Sequence, residues 1–379
     1  MSAENAVRDR LRSEPLPGEA EAAARSWPVV EAALAERAPV ARRGRGRATV
    51  RLVLVLALLC AGLATALSPA GAWIGDRFRE EPADTKPAFA ALPSGGSVLA
   101  ISRSGAYAIR PDGSTRRLGA FSEAGWSPKG LYVVGAAGRR LVAVDPAGTV
   151  RWTLTGRTPV GHPAWSTRLG YAVAYLEGHS LRVVAGNGDP VTDRTVRRDA
   201  APVTPAWRPH SDRVLTYATA GGAIETIDVV TGRALWTSAA STGRPRMLSW
   251  SSGGQRLVAL RSHSVTVLDR SGHIQRTIPL PGVTRDLALD PSGRRAAVVV
   301  GRRVLGVRLD GGTPRQLFQG GVDGIAWSRD GRRLLLSWRD ADQWLLLGPG
   351  GHIRALHAVS RELGAAGGFP RVAAWCCAR

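Results

Sequence analysis

The sequence is poor in cysteine and histidine, with three and seven of these residues among 379. Cys60 lies within an apolar run, whereas Cys376 and Cys377 are adjacent, so the cysteines offer neither the spacing of a zinc site nor a disulfide framework. The histidines fall singly in predicted turns or at strand ends: His162, His179, His210, His263, His273, His352 and His357. We therefore predict no metal site.

Sequence motifs of catalysis are missing as well. The chain contains no H-E-x-x-H, no G-x-S-x-G, no Walker loop and no dinucleotide-binding fingerprint, and no Asp-x-Asp-x-Asp run suggests a calcium loop. The residues themselves thus predict neither an enzyme nor a bound cofactor.

Lysine is nearly absent, although the chain is strongly basic. Lys plus Arg exceeds Asp plus Glu by 51 − 30 = 21, yet Lys86 and Lys129 are the only lysines. A basic excess ordinarily raises nucleic acid or an acidic surface as a partner. An arginine-only excess beside abundant Ala and Gly is typical of a GC-rich genome, and we predict no nucleic-acid partner.

Charge of either sign is missing from Leu52 to Leu67, and small or apolar residues extend this run to Ile74. About twenty apolar residues span a bilayer core as a helix, and Trp73 suits the interface. Arginines crowd residues 41–51, whereas residues 76–81 are mixed in sign. We predict a single-pass transmembrane helix at residues 52–74, a cytoplasmic N-terminus and an extracytoplasmic C-terminal part.

A cleaved signal peptide is the alternative to this anchor. Residues 64–66 and 70–72 have the A-x-A shape of a cleavage site. The leader before the apolar run is about fifty residues long, however, which is far longer than the positively charged start of a signal peptide. The pattern favours the anchor.

Residues 1–51 form a short cytosolic arm that we predict to be mostly disordered. Within it Trp27, Val30 and Leu34 share one face of a helical pattern, although Pro28 should kink or restart that helix. Two interpretations stay open: a helix that docks a cytosolic partner, or a marginal helix near the membrane. Residues 75–93 are a proline-containing linker.

The most informative stretch is GIAWSRDGRRLLLS, at 324–337, where an apolar run ends in Trp327, turns at Asp330-Gly331 and continues as a second apolar run. The same pattern recurs about every forty residues. The marked residues are Trp126, Trp165, Trp207, Trp250, Leu289 and Trp327, with a truncated copy at Trp375. This period with four short strands per repeat predicts an all-β fold, the β-propeller.

Counting the repeats predicts a seven-bladed β-propeller over residues 94–379, with six or eight blades as alternatives. Blade 1 lacks a Trp-bearing first strand before Ser97–Ser102. We expect residues 371–376 to supply it and so to close the ring and remove two open sheet edges. The recurrent tryptophans are best explained as packing between neighbouring sheets.

The predicted loops between blades carry basic residues that would meet on one face around the central channel. They are Arg157, His162, Arg197, Arg198, Arg244, Arg246, Arg285 and Arg371. Such a ring would suit the carboxylate or phosphate groups of an anionic envelope polymer or a protein partner. The Arg content of the chain makes a similar number expected by chance.

The W-S-x-D-G-[KR] turns, seen best at Trp327–Arg332, resemble the repeats of TolB-type and WD-repeat-like bacterial propellers over about residues 94–379. That resemblance implies a scaffold for protein or glycan contacts, usually without catalysis. Two turns, VDPAGTVRW at 144–152 and IDVVTGRALW at 227–236, also look like those of quinoprotein-type propellers. The whole arrangement is similar to uncharacterised membrane propellers of actinobacteria.

Three interpretations of Cys376 and Cys377 follow. They are two small apolar residues that seal the ring, a vicinal disulfide that locks the closure, or, by resemblance to quinoprotein dehydrogenases, a pair beside a cofactor.

The leading hypothesis for the chain is a non-enzymatic, membrane-anchored binding or sensing scaffold with a monomeric propeller outside the membrane. A transmembrane regulator whose arm binds a transcription factor, as anti-sigma factors do, is the first alternative. A quinoprotein-like enzyme is the second.

Overall fold

The computed structural model describes Leu92 and residues 94–238, 243–363 and 368–377. The predicted arm, the transmembrane segment 52–74, the docking residues Trp27, Val30 and Leu34, and most of the linker lie outside these residues. Among the described residues, no helix has the length and apolar character needed to cross a bilayer.

The described strands form seven four-stranded antiparallel sheets, so the prediction of an all-β seven-bladed propeller is confirmed. Blade 1 contains β1 (Ser97–Ser102), β2 (Gly105–Ile109) and β3 (Thr115–Gly119). Blade 2 contains β4 (Glu123–Trp126), β5 (Val133–Ala137), β6 (Arg140–Val144) and β7 (Val150–Thr155). Blade 3 contains β8 (Val160–Trp165), β9 (Ala172–Glu177), β10 (Ser180–Ala185) and β11 (Arg194–Arg197).

The other four blades repeat the same order. Blade 4 contains β12 (Ala206–Trp207), β13 (Val214–Ala218), β14 (Ile224–Asp228) and β15 (Ala234–Ser238). Blade 5 contains β16 (Met247–Trp250), β17 (Arg256–Arg261), β18 (Ser264–Asp269) and β19 (Ile274–Pro279). Blade 6 contains β20 (Thr284–Leu289), β21 (Arg295–Val300), β22 (Arg303–Arg308) and β23 (Arg315–Gln319). Blade 7 contains β24 (Val322–Trp327), β25 (Leu334–Trp338), β26 (Gln343–Leu347) and β27 (Ile353–Leu356), and is followed by the single-turn helix α1 (Val359–Glu362).

Blade 1 takes its first strand from the other end of the chain. Strand β28 (Arg371–Cys376) pairs antiparallel with β1, with Trp375 opposite Val98. The indole Nε1 of Trp375 donates a hydrogen bond to the Gly95 carbonyl at 2.9 Å. The first strands of successive blades then contact one another around a closed ring, and each lies at the inner edge of its own sheet.

The hydrophobic core is divided among the interfaces between blades. In each described cluster, side chains from one face of a sheet pack against the facing sheet of the next blade, as Val134 and Leu141 of blade 2 do with Val173 and Tyr175 of blade 3. Val, Ala and Leu make up most of the second and third strands of blade 2, β5 and β6, whereas the fourth strands β7 and β23 are mostly exposed. A blade cannot bury its own faces, so its stability depends on both neighbours.

Short aspartate turns connect the third and fourth strands. Asp145 accepts backbone N–H groups from Ala147 and Thr149 at 3.0 and 2.9 Å. Burial alone would raise the pKa of Asp145, but these bonds and Arg151 leave it below its ordinary value. Asp-turns of this kind lie on one face of the propeller, here called the turn face. The connections between blades lie on the opposite face, the loop face.

Candidate functional site

A cavity of about 570 Å³ opens at the ring of first strands. Its charged lining comes from one region of the repeat, three or four residues before the marked residue at the end of each first strand. The charged and polar residues of that region are Glu123, His162, Thr204, Arg246, Asp286 and Arg371. Because the repeat places them at the starts of the strands, they lie together at the loop-face end.

Glu123, His162 and Thr204 form a chain of contacts across three blades. The Glu123 carboxylate accepts the His162 backbone N–H, and its Oε2 lies 3.4 Å from the His162 Nδ1. That Nδ1 is also 3.4 Å from the Thr204 hydroxyl oxygen. His162 has a φ of 55°, a left-handed backbone conformation that is uncommon for residues other than glycine. The backbone distortion of β8 turns this N–H toward the neighbouring blade.

Asp286 lies on the other side of the cavity, deep in the molecule but still in contact with the cavity space. Its carboxylate accepts hydrogen bonds from the backbone N–H groups of Leu287 and Ile325 at 2.8 and 3.1 Å. Burial raises the pKa of Asp286 to about 6, against the opposing effect of these two bonds and of the Arg371 charge. The carboxylate is therefore mostly ionised at neutral pH and mostly protonated near pH 5.

Two arginines face the cavity without a salt bridge to a described carboxylate. Arg246 donates from Nη1 to the Thr284 carbonyl at 3.0 Å, which fixes the side chain and leaves its remaining N–H groups available. Arg371 interacts electrostatically with Asp286 but makes no side-chain hydrogen bond to a described residue. A guanidinium held in this way is suited to carboxylate or phosphate groups, which accept two parallel hydrogen bonds.

The structure brings three of the eight predicted basic residues to the cavity: His162, Arg246 and Arg371. Arg157, Arg198, Arg244 and Arg285 are exposed on the loop face and do not line the cavity. Arg197, named beside Arg198 at the sequence level, pairs with Glu225 at 2.6 Å.

Sequence reasoning missed the two carboxylates of the cavity. Glu123 and Asp286 stand three residues before Trp126 and Leu289, as His162 stands before Trp165. A comparison of that one position across the repeats would have found them. The loop-face end of the cavity therefore carries both signs of charge.

Cys376 and Cys377 are joined by a disulfide at the end of β28. The pair packs on the turn after Trp126, where the Cys377 Sγ lies 3.1 Å from the Pro128 carbonyl oxygen. Because the two residues are neighbours in sequence, the bond cross-links no separate segments and cannot lock the ring by itself. The closure depends instead on the pairing of β28 with β1 and on the Trp375 hydrogen bond.

One further grouping of polar side chains lies on the turn face. Asp269, Ser271 and His273 contact one another, but they form an exposed Asp-turn of the recurrent kind, with the His273 side chain 83 % exposed. Among the residues that the structure describes, no three His, Cys, Asp or Glu side chains are grouped as a metal site.

No family model matches the sequence, and no curated protein matches it. Solved structures do resemble the fold. The β-propeller domain of Myceliophteria thermophila Cps50 (Swd1) aligns with a TM-score of 0.53 at 16% identity, over 63% of this chain and 87% of that one. Kluyveromyces lactis Hsv2 aligns with a TM-score of 0.53 at 11% identity, over 69% and 94%. At these identities the likeness shows the WD40-like propeller fold alone.

Proposed function

We propose that this chain is a non-enzymatic binding scaffold that engages an acidic group of a protein or envelope polymer at the loop-face end of its central cavity. The observation that carries the proposal is the pair Arg246 and Arg371. Both face the cavity, and neither has a carboxylate within salt-bridge distance among the described residues. Arg371 is the first residue of β28, and Arg246 directly precedes β16. A closed propeller fits such a protein-binding role, because its ring positions side chains from many blades around one point.

The chemistry of the cavity also favours a ligand that carries hydrogen-bond donors beside its acidic group. Glu123 and Asp286 alternate with the basic residues, so a purely polyanionic ligand would meet repulsion at two positions. The acidic group of such a ligand would bind the arginines, and its donors would bind the carboxylates. Side chains or termini of a folded protein meet this requirement more readily than a uniform polyanion.

We further propose that the propeller is held outside the cell membrane by the segment 52–74. The support is the sequence pattern: arginines before the apolar run, mixed charge after it, and a linker before blade 1. Protease treatment of intact spheroplasts tests this arrangement. An epitope placed after residue 377 should be digested and one placed before residue 10 protected, and the reverse result would refute the topology.

The binding proposal is tested with the full-length protein in its native membranes. In-cell crosslinking, purification and identification of captured material are compared between wild type and a triple reversal, Arg157→Glu, Arg244→Glu and Arg285→Glu, which alters exposed residues beside the cavity. Arg246→Gln tests the cavity itself. The matched control is Arg233→Glu, Arg270→Glu and Arg332→Glu, three exposed residues of the turn face.

We expect the triple reversal and Arg246→Gln to reduce capture of the same partner, and the turn-face control to retain it. Equal capture by all variants would eliminate the loop face as the binding surface. Equal loss with the turn-face control would indicate a response to net charge alone.

A further inference from the structure

A cleft of about 430 Å³ lies between blades 2 and 3 on the turn face, at the opposite end of the first strands from the cavity described above. Blade 2 contributes the turn after Trp126 and part of the outer strand β7, and blade 3 contributes two turns. The residues that matter for its chemistry are Lys129, Leu131, Tyr132, Trp152, Trp165 and Asn187. This volume lies within the range of small-molecule sites, roughly 300–1,000 Å³.

Three aromatic rings of the cleft are fixed against one another. The Tyr132 ring stacks on Trp165 with centroids 6.3 Å apart, and Trp152 meets Trp165 edge-on at 6.4 Å. The Trp152 Nε1 donates to the Gly186 carbonyl at 2.9 Å, and its ring lies on Gly188, where a Cβ would come within 2.3 Å. The rings are therefore positioned before any ligand arrives, which lowers the entropic cost of binding.

The cleft also exposes large apolar side chains to solvent. Leu131, Tyr132 and Leu169 are 46%, 38% and 45% exposed, and Tyr171 beside them is 67% exposed. Exposed apolar groups gathered in a concave place and bordered by polar residues mark a binding site more often than single exposed residues do.

The repeat supplies an internal comparison. The equivalent cleft between blades 6 and 7, of about 460 Å³, is built on Trp327, as this one is built on Trp165. In that cleft the positions of Leu131 and Tyr132 are taken by Arg294 and Arg295, and the Arg295 guanidinium lies 5.6 Å from the Trp327 ring centre. Propeller packing accepts charged residues at these positions. The aromatic and apolar set of blades 2 and 3 is thus not a requirement of the fold.

The polar groups at the border of the cleft are mainly hydrogen-bond donors. Lys129 is exposed and makes no ion pair with a described residue. Asn187 uses its side-chain oxygen to accept the Asp189 N–H at 3.1 Å, which leaves the amide N–H groups for a ligand. Arg151 is charged but already paired with Asp145 at 2.8 Å. A ligand should therefore present acceptors or a negative charge, and a cationic ligand is disfavoured.

We propose that this cleft binds a pyranose ring that carries a carboxylate, as in an acidic saccharide. The apolar face of the ring would lie on the exposed Tyr132 and Leu131 side chains. Its ring oxygens and carboxylate would accept hydrogen bonds from Asn187 and Lys129. The cleft shares only Trp165 with the lining of the central cavity and none of the charged residues of its loop-face end, so this inference does not depend on the proposed function.

A proline-rich peptide is the other ligand that aromatic grooves commonly bind. Such grooves present polar ring atoms to the carbonyl groups of the peptide. Here the Trp152 Nε1 is already bonded to Gly186, and the Trp165 Nε1 is buried. The donors that remain are the Tyr132 hydroxyl and the border side chains Lys129 and Asn187, and the charge of Lys129 favours the acidic saccharide.

The experiment titrates the full-length protein with trigalacturonate, with the neutral trimer of N-acetylglucosamine and with decaproline, followed by tryptophan fluorescence and calorimetry. Wild type should bind trigalacturonate saturably and more tightly than the other two probes. Tyr132→Ala should weaken this binding about tenfold, in line with the stabilisation of one aromatic contact, whereas Tyr132→Phe should stay within about threefold. Lys129→Gln should remove the preference for the charged sugar over the neutral one.

Arg295→Ala in the equivalent cleft is the matched control and should bind as wild type does. Circular dichroism and the urea midpoint of each variant separate loss of binding from loss of fold. The proposal is overturned if no probe binds saturably, if decaproline alone binds, or if Tyr132→Ala and Arg295→Ala have equal effects.

Discussion

The carboxylate of Asp286, half-buried at the central cavity, makes the stability of the propeller depend on pH, and Asp286→Asn isolates this dependence. The folded-state pKa of Asp286 is about 6 against an ordinary value of 3.8, because burial disfavours the charged form. A raised pKa means that the group favours folding most strongly below pH 3.8. This contribution is lost as pH rises through 6, where the folded protein must ionise a buried carboxyl.

The magnitude follows from the two values. They differ by 6 − 3.8 = 2.2, and at about 1.36 kcal/mol for each pH unit the wild type loses up to ~3 kcal/mol between pH 4 and pH 8. The Asp286→Asn variant does not lose this stability, because the Asn side chain does not ionise. It can, however, accept only one of the two backbone N–H groups that Asp286 accepts from Leu287 and Ile325, a loss of about 1 kcal/mol at every pH.

We therefore expect Asp286→Asn to be less stable than wild type near pH 4 and more stable by about 1–2 kcal/mol near pH 8. Urea unfolding of both proteins at intervals from pH 4 to pH 8 measures the difference. Asp310→Asn serves as the control, since Asp310 is exposed and Arg308 lowers its pKa, so the sign of its small effect is opposite. A stability difference that does not change with pH would refute the reasoning, whatever its size.

Three further changes test the packing of the ring. Trp375→Ala removes a buried indole from the closing strand and should lower the free energy of unfolding by about 3–5 kcal/mol, measured by urea denaturation. Gly188→Ala places a Cβ against the Trp152 ring and should lower the melting temperature clearly more than Gly138→Ala, which has a similar positive φ and open space; equal shifts would contradict this. Arg261→Met should raise the urea midpoint, because Arg261 is 2% exposed and its buried Nε and Nη1 lack a hydrogen-bond partner among the described residues; a lower midpoint would show that the charge is compensated.

Much of the fold was predictable because one signal recurs at the same place in every blade. The first strands of blades 2 to 7 end at the marked residues. The following turn contains a glycine except in blade 4, where His210 takes its place with a φ of 64°. Even blade 6, which has Leu289 instead of Trp, keeps the pattern Asp290-Pro291-Ser292-Gly293. The fourth strands were harder to place. Strand β23 is polar and mostly exposed, and it lacks the alternation that identifies a half-buried strand.

The site was less predictable for a different reason. Its contacts join equivalent positions of neighbouring blades, as between Glu123 and His162, which are 39 residues apart. A search for basic residues in the predicted loops finds the arginines and does not find the carboxylates between them. The environment that raises the pKa of Asp286 arises from three-dimensional burial, which local sequence does not record.

The pairing of β28 with β1 also determines when blade 1 can be completed during synthesis of the chain. Trp375 and Gly95 are 280 residues apart, and at about 5 to 20 residues per second the ribosome needs roughly 14 to 56 s to make the intervening chain. During that interval the edge of β1 that later pairs with β28 has unpaired N–H and C=O groups, to which a strand of another molecule can bond. Blade 1 is thus the first blade that the ribosome begins and the last that it completes, and the propeller cannot close before the C-terminal strand has been made.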